Sequence, residues 1–233
     1  MESMELNKPK QELKKVPEHG HDILNLSAAE AEQLKSRIEK WKGLVRMFVH
    51  PMYEKWRYPE EEYPKHPDIK ELLEIEKVLA KLLAMPVEKT PPILIMEETK
   101  YVNELQDWLR KNPQGNSQNE VYFIKTFPNH PMPQLESKSE KDAWNALSDT
   151  LSKLGVKKIL MGGMQFDVSE FKRDWTNKGP WVGYCVGIVL SHLSKDKAGK
   201  FEVELSALTQ PRSKRKYFNS VKHKDGLIGG GDW

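Results

Sequence analysis

The 233-residue sequence predicts an α/β domain, a three-layer sandwich with a mostly parallel sheet of about five strands, preceded by an N-terminal helix. Three observations carry this. From residue 44 onward short apolar runs alternate with amphipathic helical stretches, which is the sequence form of repeated βα units. Two of those runs, at 92–96 and 158–161, are apolar without alternation, as strands covered by helices on both faces must be. The composition, 38% apolar and 30% charged with seven each of Trp, Tyr and Phe, suffices for a core and excludes a chain disordered throughout.

Residues 1–26 are rich in Lys and Glu, carry two prolines and show little apolar periodicity, so they read as a flexible arm. Ser27 followed by Glu30 forms a capping box, and Ala28, Ala31, Leu34, Ile38 and Trp41 recur at helical spacing, giving a helix over 27–42. The strand-like runs are 44–49, 92–96, 121–124, 158–161 and 201–205. Ile69, Leu72, Leu73, Leu79, Leu82 and Leu83 mark a helix after the first, and Val102, Leu105, Trp108 and Leu109 one after the second. After the third, Ser139 caps a helix with Asp142 three residues on, Trp144, Leu147, Leu151 and Leu154 form its stripe, and Gly155 stands at the C-terminal cap. The helix near 185–193 is apolar almost all round, which buries it and makes His192 a core histidine. In the last run Phe201, Val203 and Leu205 alternate with polar residues, as in an edge strand with one wet face. The single domain thus spans 27–210 and a basic flexible tail covers 211–233.

Two connections, 51–68 and 164–182, are long and aromatic, and each follows a strand. Such loops are lids or binding surfaces, with a protein partner or self-association as the alternative use of their aromatics. The tail from residue 210 holds six basic against two acidic residues, while the whole chain is only +3, so the body is near neutral. A basic tail can contact nucleic acid or another acidic partner. No apolar run approaches the roughly 18 residues of a membrane span, and the opening Met1-Glu2-Ser3-Met4-Glu5 has no secretory apolar core, so a cytoplasmic location and no membrane contact are expected. Cys185 is the single cysteine, which excludes an internal disulfide framework and a Cys-based zinc site. His19, His21 and Asp22 lack a further ligand nearby, so no metal or cofactor is expected, and neither a Gly-x-Gly-x-x-Gly nor a Walker lysine is present.

Ligands of open α/β sheets bind outside the carboxyl ends of the strands. The first run delivers His50 there, the second Glu97 and Glu98, the third Lys125 and His130, and the fourth Gly162, Gly163, Gln165 and Asp167. This polar set suits acid/base chemistry or the holding of an anionic ligand, and strand alternation lets at most one of Glu97 and Glu98 serve the cleft. Cys185 in a first helical turn faces free N–H groups and a positive dipole end, which favour a thiolate nucleophile. The apolar surroundings equally suit a small packed side chain.

Phe123-Ile124-Lys125, the helix behind it, Gly-Val-Lys-Lys-Ile-Leu-Met-Gly-Gly over 155–163, and Tyr184-Cys185-Val186-Gly187 opening an apolar helix together resemble the isochorismatase-like cysteine hydrolases. The resemblance implies a catalytic set of an Asp after the first strand, a Lys after a middle strand and a Cys at a helix start, acting on amides or related bonds. Lys125 matches the lysine and Cys185 the nucleophile. This chain's first strand ends Phe48-Val49-His50, so the base role falls to His50 or Asp167. The expected function is therefore a divergent cysteine hydrolase acting on a small amide or ester, with a non-catalytic binding protein of the same fold as the alternative.

Overall fold

The computed structural model describes residues 20–52, 55–56, 60–65, 69–111, 120–127, 131–135, 139–166, 185–195 and 199–211. Six strands, β1 (His21–Asp22), β2 (Leu44–Val49), β3 (Ile93–Glu98), β4 (Val121–Thr126), β5 (Lys158–Phe166) and β6 (Glu202–Pro211), form one sheet in the order β1-β4-β3-β2-β5-β6. All five pairings are parallel. The helices are α1 (Ala28–Lys40), α2 (Ile69–Ala84), α3 (Thr99–Lys111), α4 (Glu140–Lys153) and α5 (Cys185–Leu193). Among the described residues no helix is long and apolar enough to cross a membrane.

Alternation along the strands sorts the core into two layers. Val45, Met47, Val49, Leu94, Met96, Tyr122 and Ile124 pack with α1, α4 and α5, while Phe48, Ile93, Ile95, Val121 and Phe123 pack with α2 and α3. Helices that follow β2 and β3 thus cover one face and those that follow β4 and β5 the other, as right-handed crossovers require when strand order reverses at β2. The reversal falls between β2 and β5, and in open sheets of this kind the carboxyl ends of the strands at the reversal form the ligand crevice.

Local chemistry explains the ends of the elements. In α1 the Ser27 N–H donates to Glu30 Oε2 at 2.7 Å and the Glu30 N–H donates back to Ser27 Oγ at 3.3 Å. Ser139 Oγ accepts from the Asp142 N–H in the same way at α4, and Gly155 leaves α4 at φ +86. β6 closes one edge, with Phe201 and Val203 buried and Glu202 exposed.

The structure bears out the α/β sandwich with a parallel sheet, extends it at one edge and departs from the sequence expectation in three details. The sheet has six strands, because His21–Asp22 pairs with β4 at the other edge. Two residues are too short to show an alternation pattern, so β1 is invisible in the sequence. Residues 20–26 therefore belong to the fold rather than to the arm: Ile23 is buried, and Leu24 and Leu26 pack against the core. Leu73 is 50% exposed and lies off the buried stripe of α2. His192 is not in the core; its side chain is 37% exposed, 4.0 Å from Glu140, and its ring stacks on Trp144 at 4.4 Å.

Candidate functional site

β2 is buried from Met47 to Val49 and stops at His50, which adopts φ +48. That left-handed conformation is uncommon outside glycine, although His, Asn and Asp visit it more than most residues. Its N–H still donates to Met96 O at 2.8 Å, so the backbone stays tied to β3 while the side chain leaves the direction a continuing strand would give it. The imidazole is buried at 1% exposure. Its Nδ1 lies 3.2 Å from Cys185 Sγ, and its Nε2 lies 3.1 Å from Thr126 Oγ1.

The partners come from opposite sides of the crevice. Cys185 is the first residue of α5, a helix that packs on β5 and β2, and it is the one free thiol of the chain, partly exposed. Thr126 ends β4 and is fully buried. Because β3 lies between β2 and β4, the imidazole bridges the carboxyl end of the central strand. For Nδ1 to accept the thiol proton, the ring must carry its own proton on Nε2, and that N–H then donates to Thr126 Oγ1. A hydroxyl can accept as well as donate, so Thr126 accommodates the tautomer that presents a basic Nδ1 to sulfur. Sequence reading missed Thr126; the available signal was its place at the strand end, one residue beyond Lys125 and hence on the opposite face.

Gly162 and Gly163 stand opposite Phe48 and Val49 in the β2–β5 register. Gly163 has φ +127, and a Cβ there would sit 2.1 Å from Val49 O. Its role is a close backbone approach that presses the end of β5 against the residue before His50. The β5–β6 pairing shifts register around the same glycine, which bends β5 at the mouth of the crevice.

Glu97 and Glu98 are both fully buried. Glu97 lies on the α2–α3 side with Ile95, accepts from the Glu98 N–H at 2.9 Å through Oε1, and has the Met52 N–H as a further donor. Burial pushes its carboxyl up to about 8, so it is largely protonated at neutral pH. Glu98 stands beside Thr126 in register, and its Oε2 is 3.1 Å from Lys100 Nζ.

Lys125 is directed elsewhere. Alternation turns it to the face opposite Thr126, where Nζ is 3.3 Å from Asp22 Oδ2 at the β1 edge. That is the outcome of β1 lying next to β4, which offers Lys125 a carboxylate on its own face. Gln165 is described through its backbone in β5. His130 and Asp167 lie outside the described residues, as do the basic tail beyond residue 211 and most of the 164–182 connection. His21 Nδ1 is 2.7 Å from Glu30 Oε1, and among the described residues no group of three His, Cys, Asp or Glu side chains could hold a metal ion. Comparisons with protein-family models, with curated proteins and with solved structures give no match.

Proposed function

We propose that this protein is a cysteine hydrolase acting on a small amide or ester, with Cys185 as nucleophile and His50 as the base. The observation that carries the reading is the 3.2 Å approach of His50 Nδ1 to Cys185 Sγ at the crevice where strand order reverses. A nucleophile and base in hydrogen-bond reach, with the base oriented by a third group, is the arrangement covalent acyl transfer needs. In the first half-reaction the thiol proton passes to Nδ1, the sulfur forms a bond to the carbonyl carbon, and the carbonyl π electrons move to oxygen. N–H groups of the first turn of α5, which have no acceptor within the helix itself, stabilise that oxyanion. The oxyanion collapses to a thioester as the C–N or C–O bond breaks, and Nδ1–H gives its proton to the leaving group. Water then attacks the thioester, His50 takes its proton, and the carboxylic acid departs as Cys185 recovers a thiol.

The similarity of the 155–163 and 184–187 stretches to the isochorismatase-like hydrolases supports the same chemistry. Lys125 has no part in the proposed set, since its ammonium is paired with Asp22 on the other face. The test is to incubate the full-length protein with a panel of small activated esters and primary amides and read intact mass. An acyl adduct on wild-type protein that turns over, and that is lost in Cys185→Ser and in His50→Gln, supports the reading. A panel without adduct or turnover, on a protein whose thiol alkylates no faster than the unfolded chain, rejects it in favour of partner binding.

A further inference from the structure

A second concave surface lies across the sheet from Cys185, between β1, α3 and β4, with a volume of about 370 Å³. Its acidic groups are already used by the fold. Asp22 Oδ1 accepts from the Leu24 N–H at 3.1 Å, and Oδ2 accepts from Asn25 Nδ2 at 3.0 Å and from Lys125 Nζ at 3.3 Å. Its donors are not used up. The Lys125 ammonium has three N–H groups and, among the described residues, Asp22 as its single polar partner, while its side chain remains 40% exposed. Asn103 and Gln106, one turn apart on α3, line the same hollow, and their side-chain amides form no hydrogen bond among the described residues. Phe123 forms an apolar wall, and Gly20 packs on it so closely that a Cβ would come within 1.9 Å of the ring.

We propose that this hollow binds a small singly charged carboxylate that also carries an amide or hydroxyl group. Lys125, fixed in place by Asp22, takes the carboxylate, and Asn103 and Gln106 exchange hydrogen bonds with the neutral polar group. The size is at the lower end of the roughly 300–1,000 Å³ of small-molecule sites. A phosphate dianion is disfavoured, because Asp22 and Glu30 on the same rim already face Lys125 and His21, and no second ammonium or guanidinium lines the hollow to meet a second negative charge. The proposal does not depend on the cysteine chemistry, since Lys125 faces away from Thr126 and His50.

Calorimetric titration of the full-length protein with N-acetylglycine tests it, with inorganic phosphate as comparator. Expected is saturable binding with Kd near or below about 1 mM, weakened at least about tenfold by Lys125→Met. The double variant Asn103→Leu, Gln106→Leu leaves the Lys125–Asp22 pair intact and should weaken binding similarly, so it decides the question should Lys125→Met fail to fold. Cys185→Ser should leave the affinity unchanged. A non-saturating heat, phosphate binding as tight as N-acetylglycine, an unchanged affinity in the α3 double variant, or loss of binding in Cys185→Ser would each overturn the assignment.

Discussion

His50 Nδ1 and Cys185 Sγ approach to 3.2 Å across 135 residues of chain, one at the end of the first long strand and the other at the start of α5, the last helix among the described residues. The approach is a product of topology. β2 and β5 are neighbours only because the strand order reverses there, and α5 returns over both. A thiol without such a neighbour reacts appreciably only near its ordinary pKa of about 8.5.

Cys185 should therefore alkylate at neutral pH faster than the same thiol in urea-unfolded protein. Replacing His50 by Gln keeps a polar side chain but removes the proton acceptor, and should slow alkylation by about tenfold or more. The rate of iodoacetamide incorporation, followed by mass, measures this with no background from other thiols. Equal rates in wild type and His50→Gln would show that the contact does not activate sulfur.

Thr126 should act through His50 rather than on a substrate. Thr126→Val conserves shape and removes the partner of Nε2, a loss of about 1 kcal/mol and hence roughly fivefold in reactivity. Thr126→Ser should restore most of it, because the hydroxyl returns. A Ser variant as slow as the Val variant would point to packing by the methyl group instead.

Much of this architecture is legible in the sequence because burial leaves a mark on residue type. The unbroken apolar runs at 92–96 and 158–161 become β3 and β5 between two helical layers, and the Ser139 cap and apolar stripe give α4. His50 and Cys185 can be picked out as candidates from their places at a strand end and a helix start. Their meeting cannot be read, since it depends on strand order and on one residue at φ +48, neither of which has a compositional signature. The direction of Lys125 is hidden for a related reason: it depends on β1, two residues long, supplying Asp22 beside β4.

Gly163→Ala should disrupt the crevice. The added Cβ would meet Val49 O at 2.1 Å on a strand that cannot retreat, and φ +127 is strained for any L side chain. A loss of roughly 2–4 kcal/mol is expected in urea unfolding, with slower Cys185 alkylation because His50 follows Val49. Gly155→Ala is the control. Its φ is +86 with nothing within 4 Å of the added Cβ, so only the conformational cost of about 1 kcal/mol applies and the thiol should be unaffected.

Glu97 gives the fold a pH dependence of definite sign. Burial raises its carboxyl from the ordinary 4.5 to about 8, so between those values the folded state holds a proton that the unfolded chain releases. Stability rises with pH only where the unfolded state binds more protons, and here it binds fewer. The contribution is fully present below the unfolded pKa and is lost as pH climbs from about 4.5 through about 8. Glu97→Gln mimics the neutral form and cannot ionise. It should therefore match wild type near pH 5 and become the more stable of the two as pH approaches about 9, by up to a few kcal/mol. Thermal unfolding of both proteins across that range measures the difference. If the two curves stay parallel, Glu97 is ionised in the folded protein at neutral pH and the Met52 and Glu98 N–H donors outweigh its burial.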